Sequence, residues 1–493
     1  MSTIKYLKTD TTKLYKDSSS DKVIMELLWG DRIEVLPGSS ADGRVKAKAR
    51  GQTGFVRLSD LGDERLLEIY FMDVGQGDGV LIVTPEGKHI LIDGGYNRKS
   101  QPHEKSAADF VDWKFFKDYG ENKIRLDCMI SSHCDADHYG GLWDLVNPAE
   151  TANLDCKGGI EISNFYHPGI SWWKKPAGKK FAGLSSNGYL TDLLEDNASV
   201  VKALKAGAIP ELAGNWANFL ECLTNLNVKI SRLSYNPSQG IGFLPGFDQG
   251  NIVAIRVLGP VESELNGNPV LKDFGNDSQN TNGNSLLFRI DYGRSRILVA
   301  GDLNKASQQY ILDELKGNRL ELAADVAKSC HHGSDDCSYE FLETVRASAS
   351  IISSGDDETH SHPRPNIVAA CGVTGYRKID NDELITPLVF CTEIARSVRI
   401  ANPYEVDYKG YPYNNQNLDI KLVDEDKTEV LYTRIISAGL KPSKKKKTMG
   451  SIKVIDGLVY GLVNVRTDGN TILCATLNEG KSKWEIKKFQ SRF

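Results

Sequence analysis

Nowhere in this chain of 493 residues does an apolar run approach the roughly 20 residues that a membrane-crossing helix needs. The first residues, Met-Ser-Thr-Ile-Lys-Tyr-Leu-Lys, also lack the apolar stretch of a secretory signal. Both absences lead to the expectation of a soluble, cytoplasmic protein with no membrane partner. Cysteine is sparse: nine residues, an odd number with no Cys-x-x-Cys pair, argue against a disulfide scaffold and suit a reducing compartment. There is no strict internal repeat of 20 to 50 residues, and no serine nucleophile elbow of the kind a Ser-His-Asp hydrolase would carry.

What is present is an ordinary soluble composition, 40% hydrophobic and 25% charged, at a length that suits one large core domain with one or two small satellites. The net charge of −5 conceals an asymmetry. Residues 441–493 hold 12 Lys/Arg against 4 Asp/Glu, a surplus of +8 set against −13 for the rest of the chain. Such a tail either meets an anion or is a solvated basic linker, 441–447, ahead of a small basic domain.

Residues 1–63 alternate short β-like runs (Lys22 to Leu28, Asp31 to Leu36, Arg44 to Ala49) with Gly and Ser turns, the pattern of a small β-barrel. Its ending, Gly51-Gln-Thr-Gly-Phe-Val-Arg, resembles the last strands of bacterial Src-homology-3-like modules. A second regime begins at Leu66, with strands predicted near 66–72, 79–84 and 88–92. A helix follows over 109–119, and then a buried strand, 126–132. Residues 142–284 are less regular, with helices predicted at 197–206 and 216–225, and read as an insertion shaping the substrate surface. Within it, Trp172, Trp173, Lys174, Lys175, Lys179 and Lys180 mix aromatics with positive charge. They would either stack bases and contact phosphates or be a core tryptophan pair beside a basic loop. Gly75-x-Gly-x-Gly79 is not a dinucleotide motif, because an apolar strand follows it where a helix is required.

The densest chemistry lies in Ser132-His133-Cys-Asp135-Ala-Asp137-His138, two imidazoles and two carboxylates directly after a buried strand. Asp93, Asp302 and the pair His331/His332 likewise follow apolar strands, and a further strand leads to His362. Ligands gathered at strand C-termini suit an α/β site, and two cations need about this many. Asp302, isolated after Gly301, is placed to bridge them and offset part of their repulsion. A hydroxide shared between two cations has a lowered pKa and can attack an electrophile near neutral pH without a protein nucleophile. Asp135, standing where an imidazole would make a zinc-type cluster, hardens the set toward manganese or magnesium.

Taken in order, these fragments resemble the metallo-β-lactamase-fold hydrolases, in particular the branch that includes the nuclease-like domain of ComEC-type DNA-uptake proteins. The resemblance rests on Phe71-Met-Asp-Val-Gly-Gln-Gly-Asp78, Ile90-Leu-Ile-Asp93-Gly-Gly and the His133 to His138 signature. It continues through Asn284-Ser-Leu-Leu-Phe-Arg leading to Ala300-Gly-Asp302, Lys328-Ser-Cys-His331-His332-Gly-Ser334 and Ser361-His362-Pro, and covers about residues 66–400. It implies an α/β fold: a four-layer αββα sandwich in residues 64–403, flanked by the small N-terminal barrel and a small β-rich C-terminal domain, 404–493. It also implies a site for two divalent ions, zinc or manganese with magnesium open. His133 and Asp135 would hold the first ion, Asp137, His138 and His332 the second, and Asp302 would bridge.

On the same resemblance Asp137, His331 and His362 stand nearest the chemistry. His331 would act as ligand or proton donor, His362 would position the scissile phosphate or donate a proton, and Asp93 would orient the ligand loop. The broader superfamily's middle histidine has only His167 as a candidate. The expected activity is phosphodiester cleavage in nucleic acid, with a protein partner conceivable through the barrel. A hydrolase of small esters, lactones or phosphoesters, and a binding or sensing module with a structural metal site, are the alternatives.

Overall fold

The computed structural model describes residues 2–38, 43–101, 104–175, 180–355 and 362–392. Beyond these it describes the segments 399–401, 420–424, 427–434, 443–450, 454–456, 462–478 and 483–493. Two units are distinguished, one formed by 1–396, 460–478 and 482–493, the other by 397–459 with 479–481.

In the first unit, seven antiparallel strands between Thr3 and Gly62 form one sheet, in the segment expected as the N-terminal barrel. Leu7, Leu14, Leu27, Ile33, Ala47 and Val56 turn inward from these strands and fill it. The main body is built on two larger sheets. The first runs Lys229–Arg232, Ile160–His167, Ile124–Ile130, His89–Ile92, Val80–Val83, Leu67–Met72, then Leu462–Thr467, Thr471–Asn478 and Lys483–Gln490. The second runs Gly242–Phe243, Val253–Gly259, Leu287–Tyr292, Ser295–Ala300, Val326–Lys328, Ala349–Ile352, Leu388–Cys391.

Alternation along each strand decides which layer a side chain joins. Leu67, Ile69, Phe71, Val80 and Ile82 meet Ile255, Val257, Phe288, Ile290 and Val299 between the sheets. Tyr70, Met72, Leu81 and Val83 face the other way, onto helices Ala107–Trp113, Ala136–Val146 and Gly214–Asn225. Helices Lys305–Glu314 and Tyr339–Val345 cover the second sheet's outer face. The result is the four-layer αββα sandwich that the resemblance implied. Each large apolar side chain so buried contributes about 1.5–3 kcal/mol, which is why these strands read as unbroken apolar runs.

Two boundaries differ from the sequence reading. Residues 142–284, expected as an insertion, supply core strands to both sheets: Ile160–His167 and Lys229–Arg232 to the first, Val253–Gly259 to the second. The 404–493 extension, expected as one β-rich domain, is divided. Residues 462–490 form three strands of the first sheet, with Leu462–Thr467 pairing along Leu67–Met72. The strand's polar residues hid this, because Asn464, Arg466 and Thr467 are all buried, the latter two against polar partners. The Arg466 guanidinium lies 2.8 Å from Asp31, contacts the Leu28 and Trp29 carbonyls, and reaches the Tyr70 hydroxyl, tying barrel to sheet. The expected basic linker also differs: residues 443–447 belong to strand Ser443–Gly450, paired with Lys427–Arg434, while 441–442 lie outside the described residues.

Candidate metal centre

His89–Ile92 and Ile124–Ile130 run parallel in the first sheet, and Ser295–Ala300, Val326–Lys328 and Ala349–Ile352 run parallel in the second. Their C-terminal ends therefore open on one edge. There the chain delivers Asp93, the 131–138 loop with the start of helix Ala136–Val146, Asp302 and His331/His332. Asp93, His331 and His332 adopt left-handed backbone, φ +58°, +47° and +51°. That conformation costs on the order of 1–3 kcal/mol for residues with side chains and persists where the surroundings dictate it. Gly77 (φ +113°) lets the preceding loop seat against the same helix, since a Cβ there would lie 1.9 Å from the Asp137 carbonyl oxygen.

Asp302 is the hub. Its Oδ2 lies 3.3 Å from His138 Nε2, 3.1 Å from His332 Nε2 and 3.9 Å from His331 Nε2. His332 Nε2 is also 3.8 Å from Asp137 Oδ2, and His133 Nε2 is 3.5 Å from Asp135 Oδ2. The far side of each ring is held. His138 Nδ1 is 2.9 Å from Asp93 Oδ2, while Asp93 Oδ1 accepts the Ser132 amide, so Asp93 fixes both the imidazole and the ligand loop. His133 Nδ1 meets the hydroxyls of Ser132 and Ser285. Asp135 accepts from the Trp172 indole at 2.9 Å and from the Thr281 hydroxyl at 3.0 Å.

The inward-facing atoms fit divalent cations. His133 Nε2, His138 Nε2, His332 Nε2 and Asp302 Oδ1 are buried with no hydrogen-bond partner. Each such atom costs about 1–3 kcal/mol unless something else satisfies it. Charge points the same way: Asp78, Asp93, Asp135, Asp137 and Asp302 gather here, and in the ion pairs of the described residues Lys328 is the one permanently charged partner. Protons take up part of the imbalance. Burial alone would lower the pKa of His138, but the Asp302 and Asp93 carboxylates outweigh it and hold it well above its usual range. His332 is likewise raised to about 10, against burial, by Asp302 and Asp78. Burial opposes the ionised form of Asp302 too, yet the surrounding imidazoles hold it well below the carboxylate range. Cations would displace those protons, since a ligating imidazole must be neutral.

One participant was quoted in the sequence motif but given no role. Asp78, 1% exposed, contacts the Lys328 ammonium through Oδ2 and lies 3.2 Å from His332 Nδ1 through Oδ1. A ligand atom from each of Asp78, His138, Asp302 and His332 falls within 4.8 Å of the others. With an ammonium on one oxygen and an imidazole on the other, Asp78 is placed to orient His332 as Asp93 orients His138. His362 stands beside the double histidine, its ring 5.7 Å from that of His331. His167 does not join the group. Its Nδ1 accepts the Gly169 amide, and burial, with Arg232 nearby, lowers its pKa to about 3. Its Nε2 is buried without a hydrogen-bond partner, but His167 is not among the described residues whose ligand atoms cluster around Asp302.

Residues 72–336 match the sequence profile of the Metallo-beta-lactamase superfamily. The chain belongs to that superfamily. Over 315 residues this metallo-beta-lactamase superfamily member is 28% identical to ComE operon protein 3 of Bacillus subtilis (strain 168), a match covering 61% of this chain and 30% of the relative. The chain thus spans under a third of that curated relative's length. Among solved structures, a new diphosphatase from the PhnP family aligns at TM-score 0.30 and 11% identity over 66% of this chain and 95% of that one. NlpC2 from Trichomonas vaginalis aligns at TM-score 0.12 and 14% identity over 19% and 38%. Among the described residues, no helix is long and apolar enough to cross a membrane.

Proposed function

We propose that the protein is a metal-dependent phosphodiesterase acting on nucleic acid. The observation that carries this is the convergence of buried imidazole and carboxylate atoms without hydrogen-bond partners on Asp302. In this reading His133 and Asp135 would hold one divalent ion, Asp137, His138 and His332 would hold the other, and Asp302 would serve both. The ions would supply an acidified water and neutralise charge on the substrate's oxygens. Asp93 and Asp78 keep the His138 and His332 rings turned toward the centre. His331 differs from its neighbours in access: its side chain is 24% exposed, against 0% for His138 and 4% for His332. It is therefore the imidazole that a bound substrate can touch, and with His362 alongside it serves to pass a proton to the leaving oxygen. The substrate class rests on the resemblance of the 71–78, 131–141 and 328–334 motifs to the ComEC-type nuclease-like domain.

The test is dialysis against chelator, then manganese or zinc add-back on single- and double-stranded DNA and RNA, beside a panel of lactone, thioester and small phosphoester substrates. Cation-dependent cleavage of a polynucleotide is expected. A correctly folded, metal-loaded protein that cleaves only members of the small-molecule panel would replace this reading with the ester or lactone one.

A further inference from the structure

A hairpin beside the metal centre carries features the chemistry above does not use. Trp173 pairs with Phe181 across it, and Lys174 with Lys180. Trp173 and Phe181 are buried in the helix-side core, which anchors one face of the hairpin. By alternation Trp172, Lys174 and Lys180 share the other face. There the three residues part company. Lys174 is neutralised by Glu211 at 2.8 Å. Trp172, half-buried, donates its indole N–H to Asp135 Oδ1. The exposed Lys180 stacks its ammonium 3.9 Å from the centre of that same indole, and among the described residues no carboxylate pairs with it. Lys179 lies outside the described residues.

We propose that Lys180 is a phosphate-binding residue for the substrate strand, and that Trp172 is a positioning residue which fixes Lys180 on its ring and Asp135 on its N–H. An unpaired ammonium held on an aromatic face is desolvated on one side and pre-placed. With its ammonium on the indole whose N–H Asp135 accepts, it selects a substrate with a second phosphate next to the scissile one. This rests on the nucleic-acid reading and narrows it: a polynucleotide engages Lys180, a lone phosphodiester does not.

The experiment compares wild type, Lys180→Ala, Lys174→Ala and Trp172→Phe. It measures binding of a labelled single-stranded oligonucleotide in calcium across salt concentrations, KM and kcat after metal loading, hydrolysis of bis(p-nitrophenyl) phosphate, and metal content. Lys180→Ala is expected to weaken oligonucleotide binding and raise KM about tenfold, lower the salt slope by about one, and leave metal content and bis(p-nitrophenyl) phosphate hydrolysis unchanged. Lys174→Ala should match wild type. Trp172→Phe, which keeps a ring but no N–H, should lose metal as well as raise KM. If Lys180→Ala binds with the wild-type constant and slope, or Lys174→Ala falls equally, the Lys180 assignment is overturned while the nucleic-acid reading stands. If wild type binds no oligonucleotide, both are overturned.

Discussion

Lys328 is 2% exposed and has Asp78 as its ion-pair partner, so the fate of one residue is written in the other. Asp78→Asn would leave an ammonium in a dry interior, at a cost of about 3–5 kcal/mol, read as a lower denaturation midpoint. The same change frees the His332 ring, and metal affinity should fall roughly ten- to hundredfold. Adding Lys328→Met should restore most of the stability but none of the affinity; equal recovery of both would mean that Asp78 acts on charge alone. Pairings of this kind are where single-residue legibility stops. His133, His138, Asp302 and His332 could be picked out because an imidazole or carboxylate directly after an apolar strand has few structural reasons to be there. Asp78 sits in an equally conspicuous motif, yet its role depends on a lysine 250 residues away in the chain. His167 shows the converse: a histidine at a strand end that accepts a local amide on Nδ1 and stands apart from the cluster around Asp302.

At the scale of elements, the strand Leu462–Thr467 joins the barrel, the first sheet and the C-terminal hairpin. Burial works against the Asp31 carboxylate, but Arg50 and Arg466 overcome it and lower its pKa to about 2. Between about pH 4 and pH 2 the unfolded chain therefore binds a proton that the folded chain refuses. The stabilisation is fully present above pH 4 and is lost as pH falls toward 2. Urea titrations should show a loss of about 2 kcal/mol over that interval attributable to this group, and Asp31→Asn should flatten that part of the profile. Ending the chain at residue 460 would strip Leu67–Met72 of its neighbour and expose Val463's and Val465's partners in the core. Such a chain should be insoluble or lack the native near-UV circular dichroism signal. Elements that obey simple periodicity, such as Val80–Val83 or Lys305–Glu314, were legible from their apolar spacing alone. This strand was not, because its buried positions alternate Val with Asn and Arg, and the burial of Arg466 makes sense only once Asp31 and the barrel's carbonyls are in place.

For the whole molecule, the fold class followed from the resemblance of the ordered strand-then-ligand motifs to the metallo-β-lactamase fold, while the spacing of apolar residues by itself implied only an α/β arrangement with ligands at strand ends. The boundaries did not follow, because a sheet can be completed by a strand from anywhere in the chain. The edge formed by those strand ends concentrates five carboxylates in a protein of net charge −5, so cation binding should be felt globally. Manganese or zinc at a hundred times its dissociation constant should stabilise the fold by about 2.7 kcal/mol. Thermal melts with and without chelator should show that shift in the wild type and little of it in Asp302→Ala.

The pairing of Leu67 with Thr467 also sets a schedule. A ribosome adding about 5–20 residues per second leaves the Leu67–Met72 edge unpaired for on the order of tens of seconds after that strand has emerged. Throughout that wait a strand buried on both faces in the finished protein presents free backbone donors and acceptors to every other nascent chain nearby. The newborn protein is thus exposed to misassociation for the whole interval in which its metal ligands are being synthesised, and shielding that edge would fall to a chaperone or to slow, protected release.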